Sequence, residues 1–274
     1  MVMLDVKNLN VVLKHKNMQR VLVDNVSFAL NPGECLGILG ESGSGKSLTV
    51  KSVLGLLDNS FDINGQAVFQ GRDLLQESTE SLRRLRGSKV TMVLQNPMTC
   101  FDPLCRVGEQ IAETFVTHLD LNGKQVYEKS VKMLEAMLIH SPEEVLEKFP
   151  HQLSGGMLQR IMIGIAMAMK PDLLVADEPT TAIDAITQYE ILEEFLRIKK
   201  EGNTSIIFIT HDLGAVSRLA DKIIVMNKGR IVDEGSFEHI LKNARDPYTR
   251  LLVEKKSAVM QRYRKFIDKP AEVE

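Results

Sequence analysis

The chain has 274 residues, with 34 lysines and arginines against 36 aspartates and glutamates, 44% hydrophobic residues, three cysteines and no tryptophan. That length and apolar content suffice for one large domain or two small ones and exclude a collagen, a disulfide scaffold and a disordered tail protein. A formal charge of −2 gives no global field toward nucleic acid or an anionic membrane, so no nucleic-acid partner is expected. Cys35, Cys100 and Cys105 cannot all pair and nowhere show C-x-x-C spacing, which with no signal peptide in view makes a reducing cytosol the expected setting. The longest apolar stretches, such as 161–169, are about nine residues, where a membrane span needs about twenty.

In chain order, apolar and polar residues first alternate at Leu4, Val6, Leu9, Val11, Val12 and Leu13, and again at Val21, Val23, Val26, Phe28 and Leu30, which predicts antiparallel strands. Asn31-Pro32-Gly33-Glu34 reads as a turn, and Cys35 to Leu39 as a strand buried on both faces. From Asn96 to about Pro150 the periodicity is helical, for example at Val131, Leu134, Met137 and Leu138. Further buried-strand runs follow at Leu173–Ala176, Ile206–Ile209 and Ile223–Met226. Strands alternating with helices predict an α/β fold with a central parallel sheet. The expected organisation is a core over 1–94 and 161–235, a helical subdomain over 95–160, and a helical, charged tail over 236–274.

Three segments carry chemistry. Gly40-Glu41-Ser42-Gly43-Ser44-Gly45-Lys46-Ser47 matches G-x-x-x-x-G-K-[ST], after a predicted strand and before the helical pattern Leu48, Val50, Val53, Leu54. Its glycines let backbone N–H groups turn around phosphate oxygens. Lys46 is expected to reach the β- and γ-phosphates of ATP, and Ser47 to ligate Mg²⁺. Second, Asp177 and Glu178 end a buried strand, the edge at which open α/β sheets bind ligands. Asp177 there can hold Mg²⁺, and Glu178 can polarise the water that attacks the γ-phosphate, which favours hydrolysis over transfer to a second substrate. Third, Leu153-Ser154-Gly155-Gly156-Met157-Leu158-Gln159-Arg160 opens an apolar helix with a second set of donors for an anion. One nucleotide rarely needs two distant helix N-termini of one chain, so this site is expected to cap a nucleotide held by another subunit.

Together these segments resemble the ATP-binding cassette family over nearly the whole chain, with a departure at the fifth position of the LSGGQ signature, where Met157 stands. The resemblance implies a P-loop cassette with a RecA-like mixed sheet, N-terminal antiparallel strands and an inserted all-helical subdomain. It identifies Gln95 with the family's Mg²⁺ and water ligand, Asp184 in Thr180-Thr181-Ala182-Ile183-Asp184 with the aspartate that communicates across the dimer, and His211 with the switch histidine at the γ-phosphate. The family's adenine-stacking aromatic has no counterpart, since residues 1–27 contain no Phe, Tyr or Trp and His15 supplies the only ring. What covers the base stays open between loose selectivity and an aliphatic or cationic side chain.

A cassette on a chain of its own resembles the motor of a bacterial importer. Its implied partners are a second cassette subunit, two transmembrane permeases and, indirectly, an extracellular binding protein, which would place it on the cytoplasmic face of the membrane. The segment Gln95 to Pro103 lies where a permease helix would dock, with Pro97 and Pro103 expected to hold an extended path, and the same residues also suit a plain turn into the helical subdomain. Gly40–Ser44, Gln95–Pro103 and Asp246-Pro247-Tyr248-Thr249-Arg250-Leu251-Leu252 are similar to the dipeptide, oligopeptide and nickel branch. No cysteine follows Cys105, which is more similar to nickel or metal–metallophore importers than to peptide importers with a cysteine-bearing extension. Met157 and Met162 are read as helix core, not metal ligands. The rival readings are a soluble non-transport cassette ATPase, marked by co-purifying nucleic acid, and a P-loop kinase, marked by a phosphorylated product.

Overall fold

A computed structural model describes residues 2–15, 18–180 and 185–255. In chain order the strands and helices are β1 (Leu4–His15), β2 (Met18–Leu30), β3 (Cys35–Leu39), α1 (Lys46–Val53), β4 (Phe61–Phe69), β5 (Arg72–Asp73), α2 (Thr79–Leu85), β6 (Val90–Val93), α3 (Val107–His118), α4 (Gly123–Ala136), α5 (Pro142–Leu146), α6 (Gly155–Ala168), β7 (Leu173–Asp177), α7 (Ala185–Glu201), β8 (Ser205–Thr210), α8 (Leu213–Leu219), β9 (Lys222–Asn227), β10 (Arg230–Gly235) and α9 (Phe237–Asn243). A last helical stretch covers 247–255. The described residues form two compact units, one of residues 31–34, 76–180 and 185–207, the other of residues 2–15, 18–30, 35–75 and 208–255.

The second unit holds an antiparallel sheet in the order β2-β1-β4-β5. Its inward residues do not keep a strict period of two: Leu4, Val6, Leu9 and Val11 on β1, and Leu30, Phe28, Val26 and Val23 on β2, are all at most 4% exposed. Each set contains one step of three. The register shifts between Val6 and Leu9, and between Leu9 and Val11, absorb both steps, so neither strand turns its apolar face to water. Asn8 and Asn25 take positive φ at these bulges, at 49° and 52°, a conformation asparagine tolerates better than most residues. Asn8 Nδ2 donates to Asn25 Oδ1 at 2.8 Å and the Asn25 amide to Asn10 Oδ1 at 3.0 Å, which closes the irregularity.

In the same unit β3 is buried at every position and pairs in parallel with β9, from Leu36 opposite Lys222 to Leu39 opposite Val225; β10 closes antiparallel on β9. Leu39, Leu213, Val216, Ile223, Val225, Ile240 and Leu252 form one core cluster, against which Phe237, Tyr248 and Val253 pack. The strand carrying the phosphate loop is thus wedged under α8, α9 and the final helical stretch.

The other unit pairs β6 in parallel with β7, Val90 opposite Leu173 through Val93 opposite Ala176. Its helices show the spacing of a buried stripe: Val107, Ile111 and Phe115 on α3, and Val126, Ser130, Met133 and Leu134 on α4. α4 starts in a capping box, Asn122 accepting from the Gln125 amide and Gln125 Oε1 from the Asn122 amide. The mixed α/β cassette architecture with a helical subdomain is as the sequence predicts.

Candidate nucleotide site

Between β3 and α1 the chain turns through Gly40 at φ 155°, Gly43 at 79° and Gly45 at 104°, all outside the reach of ordinary L-residues. At Gly40 the constraint is also spatial, because a Cβ there would lie 2.5 Å from the Met226 carbonyl and 2.5 Å from Ser44 Oγ. Inside the turn, the Lys46 ammonium donates to the carbonyls of Gly40 and Glu41 at 2.9 Å each, and the Ser44 amide reaches Glu41 O at 3.2 Å. Lys46 is only 4% exposed. These two carbonyls hold the ammonium at the loop, where its charge favours an incoming anion. Among the described residues no acceptor meets the backbone N–H of Ser42, Gly43 or Gly45, and the buried Ser44 hydroxyl has no partner. Unsatisfied donors at the start of an eight-residue helix fit a phosphate group. The Glu41 amide, by contrast, is taken by the hydroxyl of Tyr248 at 2.8 Å. Nothing in the local sequence signals that contact, because the two residues stand 207 positions apart.

Gln95 and Glu178 come together for a reason visible in the strand register. Val93 faces Ala176 in the parallel β6–β7 pair, so residues two further on leave the sheet side by side at its carboxyl edge. Gln95 Nε2 donates to Glu178 Oε2 at 3.1 Å. Glu178 has φ 48°, and Pro179 after it disfavours the right-handed helical region. A non-glycine residue there carries strain of order 1 kcal/mol. Asp177, the last residue of β7, is 2% exposed. The Gln95 amide oxygen and the Asp177 carboxylate are hard oxygen donors of the kind Mg²⁺ takes, and Ser47 offers a hydroxyl.

Ser154 is the N-cap of α6, its Oγ accepting from the Met157 amide at 3.2 Å. Ser154 and Gly155 are exposed, and nothing lies within 4 Å of where a Gly155 Cβ would stand, so this helix start faces open space. His211 is half-buried immediately after β8, before the Asp212 that caps α8 by accepting from the Gly214 amide at 2.8 Å. Gly40–Ser47 and His211 belong to one unit; Gln95, Ser154–Gly156, Asp177 and Glu178 belong to the other. Asp184, the tail beyond 255 and the side chain of His15 lie outside the described residues.

One local expectation is corrected. The segment after Gln95 is not extended: Pro97–Thr99 is a 3₁₀ turn with Asn96 as its cap, Asn96 Oδ1 accepting from the Met98 amide at 3.1 Å. Proline at the first helical position is compatible with such a turn, because its missing N–H would be unpaired there in any case. Beyond it, Gln110 of α3 clasps the segment, accepting from the Asp102 amide at 2.9 Å and donating to the carbonyls of Asp102 and Cys105 at 3.0 Å. The result is a held loop that presents Met98 and Leu104 outward, 48% and 84% exposed.

A family model described as ABC transporter matches residues 23–181. The metal-staphylopine import system ATP-binding protein CntD of Staphylococcus aureus strain NCTC 8325 is 40% identical over 243 residues, 89% of this chain and 90% of that protein. The oligopeptide transport ATP-binding protein OppD of Haemophilus influenzae is 40% identical over 247 residues, 90% of this chain and 76% of that protein. Among solved structures, the dimeric cassette MJ0796 bound to ADP and phosphate gives a TM-score of 0.78 at 24% identity, covering 86% of this chain and 99% of that one. CbiO1 of Clostridium perfringens gives 0.71 at 23% identity, covering 98% and 99%. These structural likenesses speak to the fold.

Proposed function

The chain belongs to the ABC transporter family, and from that premise we propose that it is the ATP-hydrolysing subunit of a bacterial importer of nickel or a metal–metallophore complex. The observation that carries the ATPase reading is the phosphate loop, with its buried Lys46 and three backbone amides without acceptors. The metal reading is supported by the metal-staphylopine relative, which aligns over 90% of its own length. Oligopeptide import is the second reading, because a relative named for it is as similar, at 40%.

In the proposed mechanism Lys46 and the loop amides bind the β- and γ-phosphate oxygens, and the α1 N-terminus adds its partial positive charge. Ser47, Asp177 and Gln95 would hold the Mg²⁺ that accompanies the nucleotide, which would supply neutralisation of charge on those oxygens. Glu178 accepts the proton of the attacking water, and Gln95, bonded to that carboxylate, keeps it oriented. His211 contacts the γ-phosphate and Asp184 signals to the partner. Ser154, Gly155 and Gly156 cap the nucleotide of a second cassette subunit, so that ATP is shared by two chains. The held segment around Met98 and Leu104 is the docking surface for a permease helix, and an extracellular binding protein delivers the cargo to two such permeases.

Glu178→Gln tests the hydrolytic assignment. The substitution keeps the shape of the side chain and removes its basicity, so phosphate release should fall at least a hundredfold while ATP affinity is retained. Normal turnover would refute it. Cargo is decided in the reconstituted complex with its binding protein, by whether metal–metallophore or peptide stimulates hydrolysis.

A further inference from the structure

The backbone of Glu41 is committed at both of its polar groups. Its carbonyl takes the Lys46 ammonium at 2.9 Å and the Ser44 amide at 3.2 Å, and its N–H donates to the Tyr248 hydroxyl at 2.8 Å. The first two bonds are internal to the loop; the third ties its first peptide to the rest of the unit, as the Gly229 amide, donating to the Ser44 carbonyl at 2.9 Å, ties it further along. Tyr248 is itself fixed. Its ring packs against the cluster that includes Leu39, the residue before Gly40, and its amide donates to the Asp246 carboxylate at 2.8 Å. Asp233 of β10 in turn accepts the amides of Arg245 and Asp246 at 3.1 and 3.0 Å. An unbroken series of bonds thus runs from β10 through Asp246 and Tyr248 to the first peptide of the phosphate loop.

We propose that Tyr248 is a positioning residue for ATP, holding the Glu41 peptide so that the loop is preformed before the phosphates arrive. The inference rests on the reading of Gly40–Ser47 as the ATP site. A glycine-rich turn is otherwise soft at Gly40 and Gly43, and each conformation it explores unbound must be given up on binding. Fixing one peptide from outside lowers that cost and leaves the Ser42, Gly43 and Gly45 amides for phosphate. The phenol touches neither substrate nor water in this role, so its loss acts on affinity and not on the chemical step.

Tyr248→Phe tests this, because it removes one oxygen and keeps the ring in its cluster. In the full chain, titration with a fluorescent ATP analogue and steady-state hydrolysis should show Kd and KM raised roughly fivefold, the size of one net hydrogen bond, with kcat within twofold of the parent and the unfolding temperature unchanged. Unaltered Kd and KM would overturn the proposal, as would a fall in kcat and unfolding temperature with KM unmoved, which marks a merely structural role. Lys46→Ala is measured alongside. If Lys46→Ala loses nucleotide and Tyr248→Phe does not, only the Tyr248 inference falls; if Lys46→Ala also binds normally, the loop is not the ATP site and both fall.

Discussion

Glu178 stands where stability and function pull apart. Its φ of 48° is a conformation glycine adopts without strain, and the chain nonetheless places a carboxylate there, two residues past a register pair that brings it to Gln95. The expected consequence is specific. Glu178→Gly should abolish hydrolysis, yet relief of strain should offset the greater freedom of the unfolded glycine, leaving the unfolding free energy from urea titration within about 1 kcal/mol of the parent or above it. A loss of several kcal/mol would mean the carboxylate also supports the fold. At this scale the sequence was readable wherever a motif fixes spacing along the chain: Gly40–Ser47 and Ser154–Gly156 fall in the predicted strand-to-helix and helix-start settings. Tyr248 was not readable as part of the site, because its role arises from a contact with a residue 207 positions away.

Among elements, strands buried on both faces announce themselves, since every side chain in Cys35–Leu39 or Leu173–Asp177 must be apolar or function-bearing. β4 and β6 do not: β4 buries only Ala67 and Phe69 along nine residues, and β6 is four residues with a threonine inside. Pro97 suits the start of a 3₁₀ turn as well as an extended chain, so of the two paths the sequence leaves open the structure takes the turn. The attachment of the final helical stretch to β10 is likewise hidden in sequence and has a measurable pH dependence. Burial pushes the Asp233 carboxyl up, but the Thr249 hydroxyl, the Arg245 and Asp246 amides and the charge of His239 outweigh it and hold the group below the ordinary carboxylate value. A lowered folded pKa means the unfolded chain binds the proton more readily. The stabilisation is therefore complete above the ordinary value and disappears as pH falls through the folded one, in the window below about pH 4. Asp233→Asn, which can accept only one of the two amides well, should be less stable at pH 7 and lose less stability than the parent between pH 5 and 3. Parallel pH profiles of unfolding for the two proteins would contradict this.

For the whole molecule, no helix among the described residues is long and apolar enough to cross a membrane, and the charge of −2 gives little long-range attraction to anything. In the proposed mechanism, association must then come from contacts at short range. Two exposed features would serve as such contacts in that mechanism: the start of α6 at Ser154 and Gly155, and the held loop with Met98 and Leu104 outward. If ATP and Mg²⁺ are what join two cassettes, the Glu178→Gln chain, which binds without hydrolysing, should run as a dimer on size exclusion with both present and return to monomer when EDTA removes the metal. Ionic strength supplies the control. Raising salt from 0.05 to 0.5 M shortens the screening length from about 14 to about 4 Å, which dissolves complexes held by opposed surface charge. A dimer held by nucleotide phosphates buried between Lys46 and a partner's helix start should survive that change and fail only with the loss of Mg²⁺. Dissociation by salt alone, with nucleotide and metal in excess, would show that surface charge holds the pair together, and the shared-nucleotide arrangement would have to be given up.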